Sequence, residues 1–151
     1  MCTEKFLDHG IPAGIVQANL STNLRAGTLR GLHYQLPPAD ETKLVRCTRG
    51  ALYDVVVDLR AESPTFGDWF GARLDAENKL ALVVPTGCAH GFQTLIDDTD
   101  ALYHVTAVYD PERERGVHPT DPAIGITWPH EVTVVSDRDR GLPMLDAAEL
   151  P

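Results

Sequence analysis

The sequence predicts an all-β protein, an antiparallel sandwich or barrel with only short helices at its margins. Three observations carry this. Short apolar runs alternate with period two, turn residues punctuate them at regular spacing, and helical periodicity is weak and brief. The clearest run is Ala51–Leu59, where Ala51, Tyr53, Val55, Val57 and Leu59 are apolar. Alternation sets Asp54 and Asp58 on the opposite face. In Ala101–Tyr109 the same rhythm, continued by Val105 and Ala107, puts Tyr103 and Tyr109 on one face and His104 on the other. Further strands are expected at Ile15–Leu20, Thr28–Tyr34, Leu44–Thr48, Trp69–Leu74, Leu80–Val84, Gly91–Ile96 and Val132–Val135. Turn chemistry separates them at Arg49-Gly50, Asp75–Asn78, Asp97–Asp100 and Asp110-Pro111. Helical spacing is confined to Thr3–Asp8 and Met144–Leu150. No GxGxxG follows a strand and no GxxxxGK[ST] exists, so neither a Rossmann nor a P-loop site is indicated.

The 151 residues, 43% of them hydrophobic, suit one domain spanning 1–151 with a sheet-sized core. No repeat, low-complexity stretch or Ser/Gly linker divides the chain. Thirteen Lys and Arg against twenty-two Asp and Glu give a net charge of −9. Such a body repels phosphate backbones at long range, which argues against a nucleic-acid partner. A small anionic substrate is still allowed where a few cations converge. No apolar run is long enough to span a bilayer and no basic-then-apolar leader opens the chain, so the expected location is the cytoplasm. Cys2, Cys47 and Cys88 form no CxxC pair, and the last two read as small buried hydrophobes.

Individual polar residues leave structural and functional readings open. His33 stands in G-T-L-R-G-L-H-Y-Q, beside a cation and an amide, yet a lone strand histidine is often structural. His90 ends a P-x-G-x-x-H spacing (Pro85–His90) similar to the second cupin motif. The first cupin motif requires HxH, and the chain offers His33-Tyr-Gln, so no metal is expected and a metal-free cupin barrel remains. Tyr103 and Tyr109 fit ordinary sandwich aromatics, and Ser136–Asp139 a solvated charged turn. Arg30, Lys43, Arg46 and Arg138 fit surface charges.

The blocks in order are more specific. They are G-T-L-R-G-L-H-Y-Q (27–35), K-L-V-R-C-T-R-G (43–50), D-V-V-V-D-L-R (54–60) and S-P-T-F-G-D-W (63–69). V-P-T-G-C-A-H-G-F (84–92), A-L-Y-H-V-T (101–106) and D-P-A-I-G-I-T-W-P (121–129) follow. From about Gly14 to Leu145 this set closely resembles the dTDP-4-dehydrorhamnose 3,5-epimerase family. The resemblance implies a cupin-type jelly roll, usually a homodimer, that epimerises a nucleotide-linked 4-keto-6-deoxy sugar without a cofactor. Inversion beside a ketone needs a base, a group holding the enolate oxygen, and an acid on the opposite face. By resemblance His33 is the base; a free imidazole titrates near 6.5 and suits the task. Asp139 would fix its tautomer, Tyr103 would be the acid, and Lys43 would stabilise the enolate. Substrate-binding positions match at Gln17, Asn19, Arg30, His90, Glu114 and Arg138, the last replacing a common lysine.

The family's opening F-x-D-x-R-G-x-F-x-E element has no counterpart ahead of Val16-Gln-Ala-Asn19. Its arginine and aromatic residue help grip the nucleotide diphosphate, often across the dimer. The expected consequences are weaker nucleotide binding and a strand edge left for a partner subunit to cover. Two alternatives stand beside the double epimerase: a single-centre epimerase of an antibiotic-sugar pathway, and a non-catalytic sugar-nucleotide-binding cupin. A metal-dependent cupin oxygenase ranks last, for want of HxH.

Overall fold

The structure, a computed structural model, describes residues 3–11 and 14–151; Cys2 lies outside them. Helix α1 (Thr3–Asp8) precedes eight strands: β1 (Gln17–Asn23), β2 (Thr28–Gln35), β3 (Lys43–Arg49), β4 (Ala51–Asp58), β5 (Trp69–Asp75), β6 (Ala81–Val84), β7 (Cys88–Thr94) and β8 (Thr99–Val105). Two short strands, β9 (Glu114–Gly116) and β10 (Val134–Val135), and a one-turn helix α2 (Asp137–Arg140) complete the order, with a 3₁₀ turn at Leu145–Ala147.

The strands form two sheets. One runs β1-β8-β3-β6 and the other β10-β2-β7-β4-β5, with β9 also paired to β2. Every pairing is antiparallel except β10 with β2. The predicted all-β sandwich is therefore the observed architecture, and each strand expected from the alternation is present, with ends shifted by a few residues.

The departures have physical causes. Ala101–Tyr109 reads as one strand, but β8 stops at Val105, because its partners begin opposite that residue, at Gln17 in β1 and Lys43 in β3. The expected helix Met144–Leu150 shrinks to the single 3₁₀ turn. Leu145, Ala148 and Leu150 instead pack on a buried cluster built from β2 and β4 residues. So short a helix gains too little from its own hydrogen bonds to resist that packing. β9 was not foreseen, since Glu-Arg-Gly carries no alternation.

β4 keeps Asp54 and Asp58 on one face, as its alternation sets them, and both are buried there, Asp54 fully and Asp58 nearly so. β4 lies centrally in its sheet, and both faces are covered. Val55 and Val57 join a cluster with Leu32, Tyr34 and the C-terminal segment. Leu52 and Val56 face the space between the sheets, with Val45, Leu74, Phe92 and Ala101. Asp58 is capped by Arg60, Ser63 and Thr65, whose hydrogen bonds, led by that of the guanidinium, hold its carboxyl well below the usual range. Asp54, on the same face as Leu52 and Val56, meets His90 there.

Candidate active site

Between the sheets lies a cavity of about 360 Å³. Gln17 and Asn19 of β1, Arg30 and His33 of β2, Lys43 of β3, His90 of β7, Tyr103 of β8, Glu114 of β9 and Arg138 of α2 all line it. Asp139 stands behind His33, buried. All ten residues singled out from the sequence thus meet in one place.

A β-bulge makes this possible on β2. Arg30 and His33 are three apart and would point to opposite faces of a regular strand. The register against β7 shifts between them, so both side chains enter the cavity. Gly31 occupies the irregularity at φ +107°, where a Cβ would lie 2.6 Å from the His90 carbonyl oxygen. Only glycine fits so close an approach. Past the bulge, His33 pairs directly with His90 across the two strands.

Each of these histidines is held by a carboxylate. His33 Nε2 lies 2.7 Å from Asp139 Oδ1, and Asp139 Oδ2 accepts the Gly31 N–H at 3.2 Å. Burial by itself would raise the Asp139 carboxyl, but the His33 contact, the Gly31 N–H and Ser136 outweigh it and lower it overall. In the Ser136–Asp139 stretch the first three residues are solvated, as expected, and only Asp139 is buried. Ser136 N-caps α2, its Oγ accepting the Asp139 N–H at 3.0 Å, and this orients the carboxylate inward. His90 Nε2 makes the second such contact, 2.7 Å from Asp54 Oδ1. A carboxylate accepts, so in each pair Nε2 donates and Nδ1 keeps its lone pair or binds a further proton.

Tyr103 of β8 pairs directly with Asn19 of β1. Burial, then the nearby Glu41 charge, push its phenol above the ordinary value and keep it protonated. Lys43, expected as a possible surface charge, is 8% exposed and its Nζ lies 2.9 Å from Glu41 Oε1. Arg138 Nη2 contacts Glu114 Oε1 at 2.6 Å, and the Tyr109 hydroxyl donates to the same carboxylate. Burial would raise Glu114; these two bonds reverse it and leave the carboxyl lowered. Arg30 donates from Nε to Asn23 Oδ1 at 2.6 Å and makes no carboxylate ion pair among the described residues. Among those residues no three His, Cys, Asp or Glu side chains converge on a metal-sized site.

Sequence reasoning missed Asp54, Glu41 and Tyr109 as members of the site. The signal for Asp54 was a carboxylate amid valines in D-V-V-V-D; Glu41 precedes Lys43 by two, the spacing that puts two residues of an extended segment on one side.

With this geometry in hand, the profile described as dTDP-4-dehydrorhamnose 3,5-epimerase matches residues 1–147. The chain belongs to this epimerase family. A dTDP-4-dehydrorhamnose 3,5-epimerase of Sinorhizobium fredii is 54% identical over 139 residues, covering 91% of this chain and 70% of the relative. The epimerase structure of Legionella pneumophila in complex with dTDP-4-keto-L-rhamnose superposes with a TM-score of 0.94 at 38% identity, covering all of this chain and 82% of that one. A 3′-monoepimerase from Streptomyces bikiniensis, in complex with dTDP-quinovose, gives 0.89 at 37% identity, with 97% and 74% covered. Within the epimerase family the two-sheet sandwich is a cupin-type jelly roll, as the motif order led one to expect.

Proposed function

We propose that this chain epimerises a dTDP-linked 4-keto-6-deoxy sugar at C3, C5 or both, with no cofactor. The observation that carries the reading is one cavity containing a carboxylate-backed imidazole, a half-buried phenol and a buried ammonium. His33, its Nε2–H donated to Asp139, removes the proton from the carbon beside the ketone through Nδ1. The electron pair moves into the carbonyl, and Lys43 meets the developing enolate oxygen with positive charge. Tyr103 returns a proton to the opposite face of the same carbon, which inverts it. Asp139 stabilises the imidazolium formed in the first step. Because the ketone acidifies both flanking carbons, the same groups serve C3 and C5 once the ring is presented appropriately.

Arg30 and Arg138 are the proposed cations for the diphosphate, with Gln17, Asn19, His90 and Glu114 contacting sugar or base. The protein is proposed to work in the cytoplasm as a homodimer. Two buried free thiols, Cys47 and Cys88, support a reducing compartment. The edge strand β1, paired only with β8 among the described residues and carrying exposed Leu20, supports coverage by a second copy.

The test is NMR of a dTDP-4-keto-6-deoxyhexose in deuterated buffer. Deuterium entering both C3 and C5 supports the double epimerase. Entry at one carbon supports the single-centre reading, the activity of the similar Streptomyces bikiniensis 3′-monoepimerase. Tight binding without exchange over hours would make the chain a sugar-nucleotide binding protein instead. Tyr103→Phe is expected to lose product while retaining some exchange.

A further inference from the structure

Lys43 and Glu41 bracket a clamped residue. Thr42 between them donates its N–H to Thr106 Oγ1 at 2.9 Å, accepts the Thr106 N–H at 3.2 Å, and bonds Thr86 Oγ1 at 3.1 Å. The backbone under both charges is thus tied to its neighbours on two sides. Lys43 stands opposite Val105 of β8 and Val45 opposite Tyr103, which makes Lys43 the diagonal neighbour of Tyr103 on the cavity face. A lysine ammonium is a point charge on four rotatable bonds and has no preferred direction of its own. Here it ends 2.9 Å from Glu41 Oε1, with the two side chains only 10% and 8% exposed. A charge-assisted bond that dry is strong and directional. The other cavity cations differ. Arg30 leans on the amide of Asn23, and the Arg138 side chain is 52% exposed.

We infer that Glu41 is a positioning residue: its carboxylate fixes the Lys43 ammonium on the cavity wall beside Tyr103, where the enolate oxygen develops. The same negative charge lies near the Tyr103 phenol and favours its protonated form. This inference rests on the epimerase reading for its catalytic meaning, but the ordering of Lys43 does not.

Two measurements test it. In the deuterium-exchange assay Glu41→Ala is expected to lower kcat roughly 10- to 100-fold with KM little changed, the cost of a misplaced catalytic group. Glu41→Gln, which keeps an acceptor oxygen for the ammonium, is expected to recover most of that loss. In a Lys43→Ala background, Glu41→Ala is expected to cost less than about 2-fold, since nothing remains to position. Equal losses in both backgrounds, or wild-type kcat in Glu41→Ala, would overturn the inference. Separately, ¹⁵N-selective NMR of the lysine ammoniums, with Lys43→Ala assigning the resonance, reads the ordering without substrate. A protected Lys43 signal is expected in the wild type and in Glu41→Gln and is expected to vanish in Glu41→Ala. Its persistence in Glu41→Ala refutes the positioning role. Wild-type protein that exchanges no deuterium would sink the epimerase reading alone, and the ammonium spectrum would still decide this one.

Discussion

The cavity contains two imidazole–carboxylate pairs with the same 2.7 Å contact, and they differ in everything around it. The His33 side chain is 25% exposed, and Asp139 uses both oxygens, one on the imidazole and one on the Gly31 N–H. The His90 side chain is 9% exposed and that of Asp54 not at all, and Asp54 Oδ2 has no hydrogen-bond partner among the described residues. Equal geometry therefore does not mean equal role. The first pair is open on the ring side and satisfied on the acid side, the arrangement a proton-transfer base needs. The second is closed, with a buried charge that depends on one neighbour.

The strongest way to break this comparison is His33→Ala. It is expected to reduce kcat about 10³-fold or more while costing no more than about 1 kcal/mol of stability, because Asp139 keeps its backbone donor. Steady-state kinetics beside a thermal melt would check it; wild-type-like turnover removes the proposed base. His90→Ala should behave in the opposite way. It strands the Asp54 carboxylate in the core, and an uncompensated buried charge costs about 3 kcal/mol, roughly 10 °C in melting temperature for a domain of this size. A melting temperature equal to that of His33→Ala would erase the distinction drawn here.

Asp139→Asn sharpens the comparison further. An amide can donate to Nε2 and so drive the proton onto Nδ1, which removes the base without removing the ring; kcat is expected to fall roughly 10²-fold or more. Full activity in this variant would mean that Asp139 does not set the tautomer. The smallest effect is on acid stability. The folded Asp139 carboxyl is depressed, so its contribution is complete above the ordinary carboxyl value of about 3.9 and is lost as pH falls from there toward the folded value. Melts of wild type and Asp139→Asn between pH 7 and 3 should therefore converge toward the acid end. A constant gap across that range would show that the carboxylate charge contributes nothing.

The fold class and the members of the site were unequally legible. Alternation in β4 and β8 and the turn residues between strands sufficed to predict an all-β sandwich, because period two is a local property that each segment carries alone. Asp139 illustrates the limit. As Ser-Asp-Arg-Asp it reads like a solvated turn, and only the docking of α2 against β2 brings its carboxylate to His33 from 106 positions away. Glu114 belongs to a strand with no pattern of its own, formed because β2 offered an edge to pair with.

What the sequence determined by itself was the layered β architecture, the family, and the identity of the groups able to move a proton: each follows from residue type and short-range spacing. What only the tertiary structure decided was which carboxylate serves which cation or imidazole. Asp54 with His90, Glu41 with Lys43, and Glu114 with Arg138 are pairings set by sheet register, a β-bulge and burial. Charge pairing depends on distances of a few ångströms and on exclusion of water, and both come into being only when two sheets close over a common space.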